Sequence, residues 1–426
     1  MQAVCTYGAM TTALRSLAGV RGLGRKCFYL GTHRLVPPEK TIQWVRPCLS
    51  VMGITRIANI TGLDTIGIPV VMVCRPNSRS IAVSQGKGLN LACAKASGLM
   101  ESVEGYHAER ITLPLKLARY EELRYTHSLA DVEELPRPSS SLFHPNLPLL
   151  WIEGRDLLQD ERVWVPFEVV HLNYTLPQPP GMGCFISSSN GLASGNHLLE
   201  AISHAICEVV ERDAVTLWGL KSEAEQQASR LDLDAVRDPA CREVLEKFER
   251  AGVAVFAWEV TSNIGIPAVL CLIAERSRNP LRPLPAANGS GCHPVREIAL
   301  LRALTEAAQS RLTYVAGSRD DIGRTDYEHS LSDDVLERLA LATPPAAPLR
   351  DFGRVPTRSA ETLLDDVLWE LDCLRAAGIQ RVVLFNLTRP EFRLPVARVV
   401  IPGMEPGEAD DYIPGRRAAA LLEGRL

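Results

Sequence analysis

Acidic side chains recur at helical spacing in three stretches of the chain that are otherwise rich in small and apolar residues. Offsets of three, four, seven and eight residues fall on one face of a helix, so each stretch predicts a helix with one polar stripe. The predicted helices span residues 89–110, 197–215 and 294–314. Their stripes contain Ser97, Glu101 and Glu104; Glu200, Glu208, Glu211 and Arg212; and Arg302, Glu306 and Gln309.

The stripes place several carboxylates close together along each helix. Such carboxylates repel each other, and burying them without a cation is costly. Hard divalent cations prefer oxygen ligands, and Mg²⁺ usually arrives holding phosphates. Three solvated helix faces are the alternative, and for any one helix that is the stronger interpretation. Because three stripes recur and arginines accompany them, the pattern favours a shared Mg²⁺–nucleotide site.

A weak repeat of helix, strand, turn and strand occurs three times. Each copy has a glycine after its helical stretch, a threonine in its turn and a proline that opens its second strand. These residues are Gly53, Thr61 and Pro69; Gly252, Thr261 and Pro267; and Gly378, Thr388 and Pro395. Neighbouring strands of this kind usually pair antiparallel, so the repeat predicts an α+β fold with mixed or antiparallel sheets.

The composition is that of an ordinary globular protein, with 46% hydrophobic and 23% charged residues among 426. A net charge of −4 gives no electrostatic basis for binding nucleic acid or an anionic membrane. No stretch reaches the apolar length of a transmembrane helix. The eleven cysteines are scattered and include no Cys-x-x-Cys pair, which argues against a disulfide framework or a zinc site and predicts a reduced, cytoplasmic protein.

We expect an N-terminal extension over residues 1–26 and one domain over residues 27–426, whose segment 357–426 carries the third repeat and the tail. Two glycine-containing loops lead into the acidic helices. Glycines flank Lys87 before the first helix, where free N–H groups and the helix dipole favour phosphate. The loop 189–196 before the second helix favours close backbone approach to a ligand, or caps the helix. For Lys87, a solvated turn is the alternative, because the spacing is not that of a Walker A loop.

Two other kinds of site have partial support in the sequence. Glu104 and His107 form a Glu-x-x-His motif, which is typical of di-iron bundles, but a second copy is absent and the strand content argues against a bundle. Cys184 and Cys292 lie near glycines, where a catalytic thiol is one interpretation and a packing role is the more common one. The sequence assigns no residue a catalytic role.

Taken in order, these segments resemble the YcaO family of ATP-dependent enzymes that modify peptide backbones. The resemblance covers roughly residues 25–417 and depends on the series of motifs rather than on any one of them. The motifs are Gly86-Lys87-Gly88, the stripe from Ser97 to Glu104, the loop from Asn190 to Gly195, the segment Glu211-Arg212-Asp213, and Gly291 to Pro294 followed by the third stripe. A YcaO-type fold is implied, with long helices lining a nucleotide cleft.

The resemblance also implies ATP and Mg²⁺ as cofactors. By similarity, the metal ligands are Glu101, Glu104, Glu200, Glu208 and Glu211. The implied nucleotide contacts are Lys26, Lys87, Ser97, Arg212, Arg302, Glu306 and Gln309.

Family members phosphorylate a backbone amide oxygen; attack by a neighbouring side chain then forms an azoline, and attack by sulfide forms a thioamide. The chain ends without the proline-alternating tail of many azoline-forming members, and segments 401–405 and 412–417 resemble members that work with a TfuA-type protein. We therefore expect thioamide formation in a ribosomal peptide, with a TfuA-like partner, a sulfur donor and a homodimeric enzyme. Azoline cyclisation, and a nucleotide-binding accessory role without chemistry, are the alternatives.

Overall fold

The structure is a computed structural model that describes residues 14, 22–276, 284, 286–330, 348–407 and 411–425. Most of the expected N-terminal extension, residues 1–26, lies outside the described residues. All ten cysteines in the described part of the chain are free thiols. Among the helices of that part, none combines the length and apolarity needed to cross a bilayer.

Helices and strands alternate irregularly along the chain. The helices are α1 Pro38–Val45, α2 Leu91–Ala108, α3 Tyr120–Leu123, α4 Leu198–Gly219, α5 Glu223–Ala228, α6 Pro239–Arg250, α7 Arg296–Ala316, α8 Arg324–Ser330, α9 Leu363–Ala376 and α10 Arg416–Leu422. The strands are β1 Arg56–Asn59, β2 Val70–Cys74, β3 Val83–Lys87, β4 Leu115–Arg119, β5 Pro148–Asp156, β6 Arg162–Pro166, β7 Leu192–Ser194, β8 Leu231–Asp232, β9 Val253–Glu259, β10 Ala268–Glu275, β11 Ala287–Cys292, β12 Arg350–Asp351, β13 Val383–Asn386 and β14 Val396–Val400. The three predicted acidic helices correspond to α2, α4 and α7.

The chain forms two compact units. The first comprises Met1–Cys27, Val103–Leu220 and Ala360–Leu426, and the second comprises Phe28–Ser102 and Lys221–Ser359. The boundary falls inside α2, so Glu101 belongs to the second unit and Glu104 to the first. The predicted single domain over residues 27–426 stays a prediction.

The first unit is built on a six-stranded antiparallel sheet. Its strand order is β4-β5-β13-β14-β7, and β6 pairs with β5. Helix α4 packs on β14 and β7, and α9 and α10 pack on α4. Thr362 caps the start of helix α9, since its side chain accepts a hydrogen bond from Asp365 N, and the chain leaves the helix through Gly378 at φ +87°.

The second unit contains two three-stranded antiparallel sheets, β1-β2-β3 and β9-β10-β11, and a short parallel pair of β8 and β12. Helix α7 covers β10 and β11, and its apolar face joins a core with α6 and β9. Helix α6 begins with Pro239 behind the capping side chain of Asp238, and Gly252 follows it at φ +72°. The mixed α+β architecture with antiparallel sheets confirms the predicted fold class.

Equivalent hydrogen bonds confirm the predicted repeat in all three copies. In each copy, the turn threonine accepts a bond from the first residue of the second strand. These pairs are Val70 N to Thr61 Oγ1 at 3.1 Å, Ala268 N to Thr261 Oγ1 at 3.2 Å and Val396 N to Thr388 Oγ1 at 3.2 Å. The prolines also correspond, because their carbonyl groups accept from Gly88 N, His293 N and Gly195 N.

Each copy also has a third strand, which the sequence did not indicate, and this strand is followed by one of the predicted acidic helices. The third strands are β3, β11 and β7, and the helices that follow are α2, α7 and α4. In two copies the third strand comes next in the chain. In the remaining copy, β14 pairs with β7, which precedes it by about two hundred residues. That copy is therefore circularly permuted within the chain.

Glycines let two of the third strands, β3 and β11, approach their helices closely. A Cβ atom on Gly86 of β3 would lie 2.0 Å from Gly98 N and 2.2 Å from Ala94 O, both on α2. On β11, Cβ atoms on Gly289 and Gly291 would collide with the backbone of α7 in the same way. These positions exclude side chains because backbone packs directly on backbone.

Candidate functional site

The stripe residues of the second unit gather around the end of β3. Lys87 forms an ion pair with Glu306 of α7, and both side chains are about one-fifth exposed. The carboxylate of Glu306 also accepts from Ser290 N at 3.3 Å, and Glu101 Oε1 accepts from Gln85 N at 3.4 Å. The structure thus brings Lys87, Glu306 and Glu101 of the predicted set into one polar cluster.

Glu101 stands in an electrostatically mixed environment. Desolvation by surrounding protein atoms raises the pKa of its carboxyl group, Lys87 and Arg319 oppose that rise, and Glu306 adds to it. Because the residue is also exposed to solvent, water moderates the shift. A cation placed at this carboxylate would favour its ionised form.

The other stripe residues of this unit lie on the same two helices. Arg302 donates from Nη1 to Cys292 O at 2.8 Å, which turns its guanidinium toward the end of β11. Ser97 and Gln309 are half-buried. Thr313, one turn beyond Gln309, donates to Gln85 Oε1, so the polar stripe of α7 continues to the residue that contacts Glu101.

In the first unit, the predicted ligand loop contacts two glutamates. Ser194 donates to Glu104 Oε1 from N at 2.8 Å and from Oγ at 2.6 Å. Asn196 donates to Glu200 Oε1 from N and from Nδ2, both at 3.2 Å. These bonds fix the orientation of the two carboxylates.

Glu208, Glu211 and Arg212 follow one another on the next turns of α4. Glu211 is buried, and its carboxylate lies 3.9 Å from Arg212 Nη2. Glu208 interacts electrostatically with Arg398 of β14. Arg398 is 3% exposed, and its Nη2 donates to Val169 O and Ser188 O, each at 2.8 Å. Burial lowers the pKa of Arg398 to about 10, and Glu208 opposes that shift. A buried cation therefore lies close to Glu208, one of the predicted metal ligands on α4.

Lys26 lies elsewhere in the first unit. Its side chain is fully buried, forms an ion pair with Asp366 at 2.5 Å and donates to Ala360 O at 2.9 Å. These contacts fix the chain before α1 to the start of α9. Its predicted role in nucleotide binding stays a prediction.

The repeat explains why the stripes share their spacing. Glu101 and Glu306 each accept a hydrogen bond from the strand residue sixteen positions earlier, Gln85 and Ser290. Gln85, Ser290 and Leu192 of β7 correspond, because each pairs with the third residue of the second strand in its copy. Glu208 follows Leu192 by the same sixteen positions. Glu101, Glu208 and Glu306 thus occupy equivalent positions in the three copies of the repeat.

The donor set suits Mg²⁺ rather than a metal held by protein alone. Within the described residues, no three His, Cys, Asp or Glu side chains converge closely enough to hold a metal ion. Mg²⁺ commonly keeps several waters and uses one or two carboxylates together with phosphates, so separate glutamates fit that ion in complex with a nucleotide.

The alternative sites lose support in the structure. A di-iron site needs converging carboxylates and histidines, whereas His107 is buried with Nδ1 2.7 Å from Val103 O and its ring against Phe392. Cys184 is fully buried, and burial raises the pKa of its thiol to about 11. A protonated, buried thiol is a poor nucleophile, which favours the packing role for Cys184.

Two charged residues near these clusters were absent from the sequence prediction. Arg319 follows the end of α7 and forms an ion pair with Asp321, and its charge also opposes the rise in the pKa of Glu101, which is distant from it in sequence. Arg398 interrupts an apolar run, which is a signal for a functional charge in a central strand. Both are cations close to predicted metal ligands.

His171 provides a pH-dependent test of the packing around Arg398. Its ring stacks on Phe167 at 4.4 Å, and Nδ1 accepts from Asn173 N at 2.9 Å. Burial, followed by the charge of Arg398, lowers the pKa of His171 to about 4. An unfolded histidine titrates near pH 6.5, so the unfolded state binds the proton first as the pH falls. The stability due to neutral His171 is complete above about pH 6.5 and is lost toward pH 4.

We therefore expect the free energy of unfolding to fall less steeply between pH 7 and pH 5 in the His171→Asn variant than in the wild type. Asparagine keeps an acceptor for Asn173 N but does not titrate. Urea denaturation at the two pH values measures the difference. Parallel pH dependences in the two proteins would contradict the assigned environment of His171.

This chain matches one protein family and has similar sequences in other organisms. The family described as YcaO cyclodehydratase, ATP- and Mg²⁺-binding, matches residues 85–405. An uncharacterized protein in the tfuA 3′ region of Rhizobium leguminosarum bv. trifolii is 36% identical over 396 residues, which cover 92% of this chain and 93% of that protein. An uncharacterized protein of Methanothermobacter thermautotrophicus is 35% identical over 393 residues, covering 91% and 99% respectively.

Solved structures share the fold. A heterocyclase in complex with substrate and cofactor superposes with a TM-score of 0.75 and 22% identity; the match covers 97% of this chain but only 58% of that one. YcaO from Methanopyrus kandleri, bound with AMPPCP and Mg²⁺, gives a TM-score of 0.70 and 23% identity, covering 92% and 100%. The predicted family and the predicted cofactors are confirmed. The chain belongs to the YcaO family, whose members bind ATP and Mg²⁺.

Proposed function

We propose that this protein uses Mg²⁺-ATP to activate a backbone amide of a ribosomally made peptide and exchanges the amide oxygen for sulfur. The observation that carries the thioamide assignment is the relative from the tfuA 3′ region, which matches 92% of this chain. A TfuA-like partner, a sulfur donor and a homodimeric enzyme belong to the same proposal. The sequence resemblance connects family members of this type with thioamide formation.

The residues described above suit the demands of such a reaction. Resonance makes an amide carbon a poor electrophile, and Mg²⁺-ATP supplies the phosphoryl group that turns its oxygen into a leaving group. The task of the protein is then to orient the reactants and to neutralise charge. In this proposal, Glu101 and Glu104 of α2 and the three glutamates of α4 serve the metal.

The basic residues serve the phosphates. Arg212 and Arg302 present guanidinium groups, which can bind phosphate oxygens through two parallel hydrogen bonds. The ion pair with Glu306 holds the side chain of Lys87 in place. Lys87 comes directly after Gly86, the glycine that packs against α2. Ser97 and Gln309 add uncharged hydrogen-bonding groups on the same helix faces.

Azoline formation is the second candidate function. The family description names a cyclodehydratase, and the heterocyclase shares the fold over 97% of this chain. Both reactions need the same activated amide and differ only in the nucleophile, so the metal and phosphate residues do not distinguish them.

Mass spectrometry of a precursor peptide distinguishes the two reactions. We expect the peptide encoded beside this gene to gain about 16 Da, the oxygen-to-sulfur difference, after incubation with this protein, its TfuA-like partner, Mg²⁺-ATP and sulfide. The gain should require sulfide and ATP together. Omitting this protein, and replacing ATP with AMPPCP, are the matched controls.

A loss of about 18 Da without sulfide would instead identify water elimination and azoline formation. An unmodified peptide in the presence of an ATP-binding protein would support the accessory role and contradict both enzymatic candidates.

A further inference from the structure

The C-terminal motifs form a closed hydrogen-bond network on α4. Asp213 accepts from Arg417 Nε at 2.8 Å and Nη2 at 2.9 Å, and also from Glu405 N at 3.1 Å. The carboxylate of Glu405 accepts from Gly415 N at 3.1 Å and Ala418 N at 2.8 Å, at the start of α10. We call Asp213, Glu405, Gly415, Arg417 and Ala418 the C-terminal network.

The C-terminal network is buried and geometrically demanding. Asp213 is 0%, Glu405 1% and Arg417 5% exposed. A bidentate pair between guanidinium and carboxylate fixes both distance and plane, unlike a single surface ion pair. Because both side chains of this pair are buried, removal of either partner would leave a buried charge without compensation. The network therefore holds the segment around Glu405 rigidly against α4.

The same segment reaches the side chain of Arg212. Gly407, two residues after Glu405, has φ +92°, and a Cβ atom there would lie 3.1 Å from both Cβ and Cδ of Arg212. Ordinary carbon–carbon contacts are about 3.5–4.0 Å, so only a glycine lets the chain pass at this distance without displacing the arginine. Arg212 neighbours Asp213, the centre of the C-terminal network.

We propose that the C-terminal network is a positioning device for Arg212, and that Gly407 is its point of contact. The network fixes the backbone of residues 405–407, that backbone bounds the aliphatic stem of Arg212, and the guanidinium is thereby directed toward the nucleotide. Arg417 and Gly407 are then positioning residues that act through Arg212. The proposal rests on the proposed role of Arg212 in binding Mg²⁺-ATP and extends it to segments 401–405 and 412–417.

Gly407→Ala tests the contact, and Gly378→Ala is its matched control. Both glycines lie in the first unit at nearly the same φ, +92° and +87°, but a Cβ on Gly378 meets no atom within 4 Å. Both variants therefore carry similar backbone strain, and only one displaces Arg212. We expect the Kd for Mg²⁺-ATP, measured by calorimetry, to rise about fivefold to tenfold in Gly407→Ala and to stay unchanged in Gly378→Ala.

Combining each substitution with Arg212→Ala distinguishes an effect on the position of Arg212 from a general loss of structure. Arg212→Ala alone should weaken binding about tenfold to a hundredfold, because a charge-assisted hydrogen bond is lost. Adding Gly407→Ala to Arg212→Ala should then weaken binding no further, whereas independent effects would add. Arg417→Lys, which keeps the charge but not the bidentate geometry, should behave like Gly407→Ala in both backgrounds.

The outcomes identify which statement fails. If Gly407→Ala binds Mg²⁺-ATP as tightly as Gly378→Ala, or weakens the Arg212→Ala variant as much as the wild type, the positioning role is overturned. If Arg212→Ala itself binds Mg²⁺-ATP like the wild type, the assignment of Arg212 within the proposed function is wrong. Melting temperatures of all variants establish that each is folded at the temperature of the binding measurement.

Discussion

Replacing Glu208 with glutamine should reduce ATP turnover by about a hundredfold or more while the melting temperature changes by less than about 5 °C. Glutamine keeps the size and helix propensity of glutamate but removes the charge that a metal ligand needs. Arg398 behind it remains held by two carbonyl groups, so the fold loses little. A coupled assay of ADP release and a thermal scan measure the two quantities.

Glu249→Gln is the control for this prediction. Glu249 is an exposed residue in the last turn of α6, so the substitution makes the same chemical change away from the acidic stripes. Its turnover should equal that of the wild type. Equal turnover in Glu208→Gln and Glu249→Gln would show that Glu208 is not a metal ligand.

Gly86→Ala should cost about 3 kcal/mol in the free energy of unfolding, at the upper end of the usual effect of overpacking. The added methyl group would meet backbone atoms of α2 at 2.0 and 2.2 Å, and backbone cannot move aside as a flexible side chain can. Strand β3 and α2 would have to separate, and the hydrogen bond from Gln85 N to Glu101 would be lost. Urea denaturation measures the loss.

Gly62→Ala is the matched control in the same unit. A Cβ at Gly62 meets no atom within 4 Å, so its stability should stay within about 0.5 kcal/mol of the wild type. If Gly86→Ala were as stable as Gly62→Ala, the close packing of α2 on β3 would be refuted.

The sequence predicts the helices and the repeat well because both depend on local patterns. Observed and predicted ends of α2, α4 and α7 differ by at most four residues, since polar stripes among small residues define those helices. Gly252 and Gly378 end α6 and α9 at positive φ as expected, and the turn threonines accept equivalent bonds in all three copies. Short-range geometry was sufficient for each of these features.

Features that depend on distant partners were not predictable. Strand β7 has only three residues within a loop rich in serine and glycine, and its partner β14 lies far along the chain. Lys26 is an implied nucleotide contact in the sequence, and nothing near it in the chain indicates that the structure buries it against Asp366. Arg398 owes its burial to two carbonyl groups that precede it by more than two hundred residues. No local pattern records such pairings.

The permuted copy of the repeat has a consequence for synthesis of the chain on the ribosome. The sheets of the second unit use strands up to β12, so they can assemble while the rest of the chain is still being translated. Strand β7 and the apolar face of α4 must wait until β14 has emerged, because their sheet neighbour is Val396–Val400. The sheet of the first unit thus closes late and has a high contact order, which makes it the slower unit to fold and the one that relies longest on protection of its nascent apolar surface.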